Sequence, residues 1–288
     1  MTVNQYEIHA ERETSALLRL FHSQVGPCRR PLFEHHHTMV EIALVKKGSG
    51  IYTVGERRYD IAPGDIFLFS GDEQHCITDI HGDMLLMNVH FEPRFVWASG
   101  NNMFDAKYMK VFLDRSDSFE NRLDRQNPAT SEITEQMLAM EREFIQHANE
   151  YDLMVKIHLL TILVLLSRSY GYVNPDSELD TLRSPNLAVL DSVMDYVNAN
   201  LTRTLSLDDL AARANMSRSY FSTVFRRLNG MSPWDYITAK RIELSVQLLE
   251  QTDGTIIEIA GQCGFNSTAN FNRAFRKITG RTPSSYRK

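Results

Sequence analysis

The chain has 288 residues, about two domains' worth, and its 43% hydrophobic, 23% charged and 10% aromatic content excludes a disordered tail. No apolar run approaches the roughly 18–20 residues that cross a bilayer, no secretory signal is visible, and three widely spaced cysteines indicate reduced thiols, so we expect a cytoplasmic protein without membrane contact. The net charge of −5 hides an asymmetry: residues 185–288 carry 13 Lys and Arg against 9 Asp and Glu, which favours an anionic polymer as partner of that half alone.

Short runs rich in Val, Ile, Tyr and Phe, separated by Gly and Pro, predict β-strands in the first 95 residues. Turns are predicted at Lys47-Gly48, Gly55-Glu56 and Pro63-Gly64. Closely spaced antiparallel strands without helices between them predict a double-sheet roll. The predicted strands are Val40–Lys46, Gly50–Val54, Arg57–Ile61, Asp65–Phe69 and Met84–Phe91.

A cluster of histidines stands at the entrance to this roll. Alternate residues of a strand share a face, so His35, His37 and Glu41 are predicted to converge, and His75 follows a later turn that brings it to the same set. The spacing of the first three resembles the metal motif of the cupin fold, whose second half is degraded in this chain. These residues are therefore candidate ligands of a divalent metal, polar groups of a pocket, or surface histidines.

From Asn127 onward the apolar spacing becomes helical. Ile133–His147 is predicted as one amphipathic helix, and Asp152–Tyr170 as a second that is apolar on two faces. The first has Met137, Met140 and Phe144 inside and Glu135, Glu141 and Glu143 outside. The second has Leu153, Ile157, Leu160, Val164 and Leu165 on one face and Val155, Leu159, Ile162 and Leu166 on the other.

A helix that is apolar on two faces needs two partners. One partner would be the roll or the first helix, and the other a second subunit. The alternative is a core helix buried on both sides within one chain. Beyond it, a stretch rich in Asn, Pro and Ser at residues 173–184 predicts an interdomain linker.

The last eighty residues contain an internal repeat. Each copy has a capping-box pattern, Ser206-x-x-Asp209 or Thr255-x-x-Glu258, and a second apolar-striped helix, which together predict a tandem helix-turn-helix. Between the copies, Pro233–Gln251 is predicted as one helix of 19 residues, about 28 Å long. The residues Ser217, Phe221, Phe225, Arg226, Gly230 and Pro233 recur fifty positions later as Ser267, Phe271, Phe275, Arg276, Gly280 and Pro283.

The outward faces of the second helices predict DNA binding. Short hydroxyls, Asn and Arg near a helix N-terminus can reach base edges, and later Arg and Lys meet phosphates. A helix of about 28 Å could hold the two recognition helices near the 34 Å separation of successive major grooves. The predicted contacts are Ser219, Ser222, Thr223, Arg226 and Arg227 in the first copy, and Thr268, Ala269, Asn270, Asn272, Arg273, Arg276 and Lys277 in the second.

The stretch from about Leu187 to Lys288 resembles the DNA-binding domain of the AraC/XylS family of bacterial transcription regulators. The resemblance implies base contacts from positions 219, 222, 223, 268, 269, 270, 272 and 273, and a promoter-bound contact with RNA polymerase. The match rests on Ile259-Ala260-x-x-Cys263-Gly264-Phe265-x-Ser267-x-x-x-Phe271-x-Arg273-x-Phe275-Arg276-Lys277 and on Gly280-x-Thr282-Pro283-x-x-Tyr286-Arg287.

The same resemblance bears on the histidine cluster. Such clusters are common in the sensor cupins of these regulators, where metal is usually not required. We therefore expect His35, His37, Glu41 and His75 to form an effector pocket without a cofactor. The alternative from a different class is a metal-dependent cupin enzyme fused to a DNA-binding domain, with the same four residues as ligands.

The predicted fold is α+β with two domains. A cupin-like β-barrel occupies residues 1–126 and a helical hairpin residues 127–172; the linker at 173–184 leads to an all-α tandem helix-turn-helix domain at 185–288. We expect a ligand-responsive transcription regulator without enzymatic activity, an activator of a catabolic operon. Its expected partners are promoter double-stranded DNA, a small-molecule effector with sugars as a frequent class, RNA polymerase, and a second copy of the chain in a homodimer.

Overall fold

The computed structural model describes residues 4–7, 17–27, 38–71, 73–97, 106–172 and 184–287. The chain divides into two compact units, and the two-domain layout predicted from the sequence is confirmed. The first unit holds the strands and the helices through Ser169, and the second holds the helices from Ser184 onward. Most of the predicted linker lies outside the described residues. None of the helices in the described ranges is long and apolar enough to cross a membrane.

In the described part of the first unit, six strands form one sheet. They are β1 (Asn4–Glu7), β2 (Leu18–Val25), β3 (Val40–Val54), β4 (Arg57–Ile61), β5 (Ile66–Phe69) and β6 (His75–Phe91). Every pairing is antiparallel, in the order β1-β2-β6-β3-β4, with β5 also paired to β3. The long strands β3 and β6 therefore form the centre of the sheet.

One predicted turn is wrong: β3 runs straight through Lys47-Gly48, although the turns at Gly55-Glu56 and Pro63-Gly64 are confirmed. The pairing register with β6 shifts between Val45 and Ile51, which marks a β-bulge. Gly48 has φ of +90°, and a Cβ there would lie 2.7 Å from the Cα of Met84. Glycine is therefore needed at this position for a bulge and a close strand contact.

The sheet is buried on both faces where β3 begins. Ala43 and Val45 belong to the interior apolar cluster, while the alternate residues Ile42 and Leu44 are equally buried on the opposite face. Lys46 continues that opposite face, and its ammonium group contacts the carboxylate of Glu141. Burial of both faces explains why residues 40–45 are all apolar except for Glu41.

The helices in the described ranges of the first unit are α1 (Arg94–Trp97), α2 (Lys110–Leu113), α3 (Pro128–Gln146) and α4 (Tyr151–Ser169), with a 3-10 turn at Ala106–Met109. The α3 helix begins five residues before the predicted start, because the Asn127 side chain accepts a hydrogen bond from the N–H of Ala129 and Pro128 occupies the first helical position. The predicted interior residues Met137, Met140 and Phe144 are buried.

The prediction for Glu141 is wrong, since this side chain points to the sheet and is only 12% exposed. Its carboxylate accepts from Lys46 Nζ at 2.7 and 2.8 Å and contacts His22 Nε2 at 2.7 Å. Burial lowers the pKa of His22, and the nearby carboxylate opposes that shift only in part. These contacts fasten α3 to strands β2 and β3.

The two faces of α4 have different surroundings. Val155, Leu159, Ile162 and Leu166 are buried against the rest of the unit, whereas Leu153 and Ile157 are 55% and 43% exposed. Leu160, Val164 and Leu165 on the same predicted face are half-buried, so the described residues cover this face only in part.

Seven helices follow in the described part of the second unit. They are α5 (Ser184–Ala199), α6 (Leu207–Arg213), α7 (Arg218–Asn229), α8 (Pro233–Gln251), α9 (Ile256–Gln262), α10 (Thr268–Thr279) and α11 (Pro283–Tyr286). The predicted 19-residue helix coincides with α8, and the capping box of Thr255 and Glu258 is present at α9. The α6–α7 and α9–α10 pairs are the predicted tandem helix-turn-helix.

Candidate DNA-binding face and effector site

The second helices of the repeat, α7 and α10, begin and end in the same way. Ser217 accepts from the N–H of Tyr220 at 3.3 Å, and Ser267 accepts from the N–H of Asn270 at 3.4 Å. Each helix ends at a glycine in the left-handed region, Gly230 or Gly280. Local chemistry therefore fixes both helices over the same twelve-residue length.

The inward faces of α7 and α10 match as well. Phe221 and Phe225 have ring centroids 5.7 Å apart, and Phe271 and Phe275 have theirs 5.6 Å apart. All four rings are 0–1% exposed. Because equivalent phenylalanines anchor both helices, equivalent positions of the two helices face outward.

Four positions of each helix share one outward line, at the i, i+3, i+4 and i+7 spacing of a single helical face. We call these lines the recognition stripes. Apart from half-buried Ser222, all their members are exposed. The stripes are Ser219, Ser222, Thr223 and Arg226 in α7, and Ala269, Asn272, Arg273 and Arg276 in α10.

The remaining predicted contacts flank the stripes. Arg227 and Lys277 follow one position later, and Thr268 and Asn270 lie on either side of Ala269. Within residues 184–287, no carboxylate lies within ion-pair distance of Arg273, Arg276 or Lys277, so these cations remain available to an anionic partner.

The stripe on α7 offers less for reading bases than the stripe on α10. The Ser222 hydroxyl donates to the carbonyl of Arg218 at 2.9 Å, and the Thr223 hydroxyl donates to the carbonyl of Ser219 at 3.1 Å. Both hydroxyls are thus engaged with their own helix. Asn272 and Arg273 are longer and exposed, and both can make bidentate contacts with base edges.

A second group of polar side chains lies on the interior face of the sheet. Glu41 is two residues before Ala43 of the interior cluster, and His75 is two residues before Ile77. The structure brings this predicted pair together, with His75 Nε2 3.3 Å from a Glu41 oxygen. The predicted His35 and His37 lie outside the described residues.

The contact between Glu41 and His75 shows that the sheet coils back on itself. In the strand register, His75 is paired with Val54, which is thirteen residues along β3 from Glu41. A straight strand would separate those two β3 positions by about 43 Å at about 3.3 Å per residue. The 3.3 Å contact therefore requires the two ends to meet, as they do in a barrel.

His90 is part of the same group, although the sequence interpretation missed it. It is the direct cross-strand neighbour of Glu41, and its Nε2 lies 3.0 Å from the same carboxylate oxygen that faces His75. Beside it, Asn88 Nδ2 donates to the Ser23 hydroxyl at 3.1 Å. Alternation from the interior residues Met84 and Leu86 could have identified Asn88 and His90 as inward-facing.

Aromatic rings border this polar group, which we call the interior polar cluster (Ser23, Glu41, His75, Asn88 and His90). The His75 ring stacks on Phe69 at 4.1 Å, and Phe21 meets the His90 ring edge-on at 4.7 Å. Polar groups that converge between aromatic walls are the usual composition of a site for a small polar ligand.

The charge of His75 is favoured inside the barrel. Burial, the largest single influence, lowers the pKa of His75, but the hydrogen bond and charge of Glu41 and the carbonyl of Glu73 outweigh it and raise the pKa above its ordinary value. Nδ1 lies 2.9 Å from that carbonyl, so donation from both nitrogens requires the protonated ring. Burial, with help from the Glu41 charge, also raises the pKa of Tyr52.

Only part of the predicted metal site is described, because His35 and His37, two of its four candidate ligands, lie outside the described residues. No group of three or more His, Cys, Asp or Glu side chains in the described ranges is arranged to hold a metal ion. In the interior polar cluster, the Nε2 atoms of His75 and His90 lie 3.3 and 3.0 Å from the same carboxylate oxygen of Glu41.

Comparison with known families gives two matches that together cover most of the chain. Residues 30–163 match the AraC-like ligand binding domain, and residues 210–288 match a helix-turn-helix domain. The first match contains Glu41, His75 and His90, and the second contains both recognition stripes.

Two curated proteins are similar along most of their length. The Msm operon regulatory protein of Streptococcus mutans is 27% identical over 252 residues, covering 86% of this chain and 83% of that protein. The HTH-type transcriptional activator RhaR of Enterobacter sp. is 26% identical over 261 residues, covering 88% and 86%. Among solved structures, ToxT of Vibrio cholerae shares the fold, with a TM-score of 0.60 at 14% identity over 94% of this chain and 97% of that one.

Proposed function

The chain belongs to the AraC family and is a ligand-responsive, DNA-binding transcription regulator, and we propose that it activates a catabolic operon in the cytoplasm. In this proposal residues 1–126 sense the effector and residues 127–172 dimerise. Residues 173–184 link these parts to residues 185–288, which bind promoter DNA.

The observation that carries the proposal is the pair of matched recognition stripes. Two helices with the same caps and the same buried rings expose polar and basic residues at equivalent positions. Packing alone does not require exposed Arg226 and Arg276 at equivalent places. Two helices that bind successive major grooves would both meet phosphates with such cations, and the helix α8 between the copies, about 28 Å long, has a suitable length.

Helices α7 and α10 would have different roles in DNA binding. Asn272 and Arg273 read bases in the major groove, whereas Ser222 and Thr223, engaged with their own backbone, contribute mainly to fit. Arg226, Arg227, Arg276 and Lys277 contact phosphates and set the salt dependence of binding. Specificity should therefore depend more on α10 than on α7.

The interior polar cluster is the proposed effector site. Its carboxylate, imidazoles and amide can donate to and accept from several hydroxyl groups, and Phe21 and Phe69 offer apolar ring surfaces beside them. This combination suits a sugar. The sensing role of an AraC-like ligand binding domain supports the same assignment.

The partly exposed face of α4 is the proposed dimer interface. Leu153, Ile157, Leu160 and Val164 follow the alternating spacing of four and three residues that is typical of a coiled-coil seam. A homodimer would place two DNA-binding domains on one promoter, from which the regulator would contact RNA polymerase.

A thermal-unfolding screen of sugars and phosphorylated sugars tests the effector assignment. A true effector should raise the melting temperature of the wild type and change its affinity for promoter DNA. In Glu41→Gln both responses should be lost, while DNA affinity without effector stays the same. The matched control is Glu135→Gln, an exposed carboxylate on α3 that should keep both responses.

An effector that stabilises Glu41→Gln as much as the wild type would contradict the assignment to the interior polar cluster. Failure of the wild-type protein to bind any duplex would contradict the regulatory function itself.

A further inference from the structure

The DNA-binding unit contains a groove that the regulatory proposal does not use. It lies between the first turns of α8 and the turn that leads into α10, and its volume is about 250 Å³. Leu205, Trp234, Phe265 and Ala274 supply apolar walls. The volume falls just below the roughly 300–1,000 Å³ of sites for drug-sized ligands, so an occupant would be small.

A buried cation faces this groove. Arg241 lines it and is only 7% exposed, and the neighbouring Lys240 and Glu243 pair with each other at 3.0 Å. The hydrogen-bond partners of Arg241 are neutral backbone carbonyls: Nε donates to the carbonyl of Leu201 at 2.9 Å, and Nη2 donates to the carbonyl of Arg203 at 2.8 Å. Across residues 184–287, no carboxylate lies within ion-pair distance of its guanidinium group.

An uncompensated buried charge is costly, and a guanidinium group has five N–H donors of which these bonds use two. Burial accordingly lowers the pKa of Arg241, although the group stays charged. An entering carboxylate would supply the missing counter-charge through charge-assisted hydrogen bonds.

We propose that this groove binds a small aromatic carboxylate, with the acid group on Arg241 and the ring between Trp234 and Phe265. Trp234 is 48% exposed at the rim, so it has apolar surface that such a ring would cover. Asn266 and Asn270 also line the groove, and their side-chain amides can donate to the same acid.

The location implies a regulatory effect on DNA binding. Asn270 and Ala274 lie about 100° and 140° around α10 from Ala269, so the groove meets this helix beside its recognition stripe. A ligand would contact the helix without occupying the stripe. It would thus act on DNA binding independently of the effector site in the barrel.

The test uses the full chain and the probe 4-fluorophenylacetate, with the neutral 4-fluorophenylacetamide as its matched partner. Binding is followed by fluorine relaxation of the probe. The acid should bind about 10-fold or more tightly than the amide, because only the acid pairs with the buried guanidinium. Thr238→Phe, which fills the groove from α8, should abolish binding of the acid.

Gln247→Phe is the matched control, since it adds the same ring to an exposed position of the same helix and should leave binding unchanged. Trp234→Ala removes one wall and should weaken binding if Thr238→Phe fails to fold. Equal binding of acid and amide, no binding to the wild type, or undiminished binding to folded Thr238→Phe would overturn the proposal. Loss of duplex affinity in Thr238→Phe without probe binding to the wild type would assign the groove to the DNA backbone instead.

Discussion

The partly exposed face of α4 yields a prediction that separates association from folding. In the described protomer Leu153 and Ile157 are about half exposed, whereas Leu159, on the opposite face of the helix, is fully buried. We therefore expect Ile157→Glu to break the dimer while the protomer stays folded. Leu159→Glu should instead unfold the protomer, because it places a charge in the core.

The magnitude follows from the exposed fractions. Full burial of a Leu or Ile side chain contributes about 1.5–3 kcal/mol, so covering the remaining half adds about 1 kcal/mol for each of the two residues. A two-fold symmetric interface contains both residues from each protomer, which gives about 4 kcal/mol. Ile157→Glu removes about half of this and inserts two carboxylates, so the dissociation constant should rise by about 100-fold or more.

Sedimentation at several protein concentrations measures the association, and thermal unfolding measures the protomer. The free energy of unfolding of monomeric Ile157→Glu should stay within about 1 kcal/mol of the value for the wild-type protomer. A variant that sediments as the wild type does at every concentration would refute the assignment of this face to the dimer. Aggregation of Ile157→Glu like that of Leu159→Glu would refute the reasoning from exposure.

Three further predictions concern the two units separately. Arg276→Ala should lower the salt slope of DNA binding by about 0.9, so that affinity falls about 3.5-fold less between about 50 and 200 mM salt; fluorescence anisotropy measures this, and an unchanged slope would rule out the phosphate contact. Because the pKa of His75 is raised in the folded state, its protonation stabilises the fold below pH 6.5, and this contribution disappears as pH rises through the folded pKa. Thermal unfolding against pH should show that decline in the wild type but not in Glu41→Gln, and parallel profiles would contradict the pairing. Gly264→Ala should lower the free energy of unfolding by about 2 kcal/mol or more, because φ at this position is +79° and the new Cβ would lie 2.6 Å from the carbonyl oxygen of Leu201. At Gly261 a Cβ would meet no atom within 4 Å, so Gly261→Ala should be neutral or stabilising. Chemical denaturation measures both variants, and equal effects would refute the role assigned to Gly264.

The helix-turn-helix unit could be predicted from the sequence almost to the residue, because its determinants are local. The caps at Ser217 and Ser267, the left-handed glycines Gly230 and Gly280 and the apolar stripes all act within one or two turns of a helix. Because the unit is repeated, each cap and each terminal glycine occurs twice in the sequence, which supports the prediction of both copies. The α8 helix has the predicted bounds for the same reason, with Pro233 at its first position.

The sheet was predicted less well, because its missing parts depend on distant partners. In β2, the buried His22 and Ser23 break the apolar alternation that marks a strand. Their burial depends on Glu141 and Asn88, which lie far along the chain. No window of neighbouring residues contains that information.

The effector site was likewise predicted only in part from the sequence. Glu41 and His75 could be selected from residue type and strand alternation, and the structure brings them together. Strand alternation could have marked His90 as inward-facing, but only the register between β3 and β6 places it opposite Glu41. Register over a bulged strand such as β3 depends on the whole sheet, as the predicted turn at Lys47-Gly48 also showed.

Selection of duplexes from a random-sequence library by the full-length protein tests the central claim most directly. If both recognition stripes read DNA, the selected duplexes should share two short motifs whose centres lie about 10 base pairs apart, one turn of the double helix. Arg273→Ala should lose base preference in one motif, at a cost of about 1–3 kcal/mol in specific binding, while Arg276→Ala keeps both motifs at lower affinity. Enrichment of no sequence, or of motifs that Arg273→Ala leaves unchanged, would contradict the account.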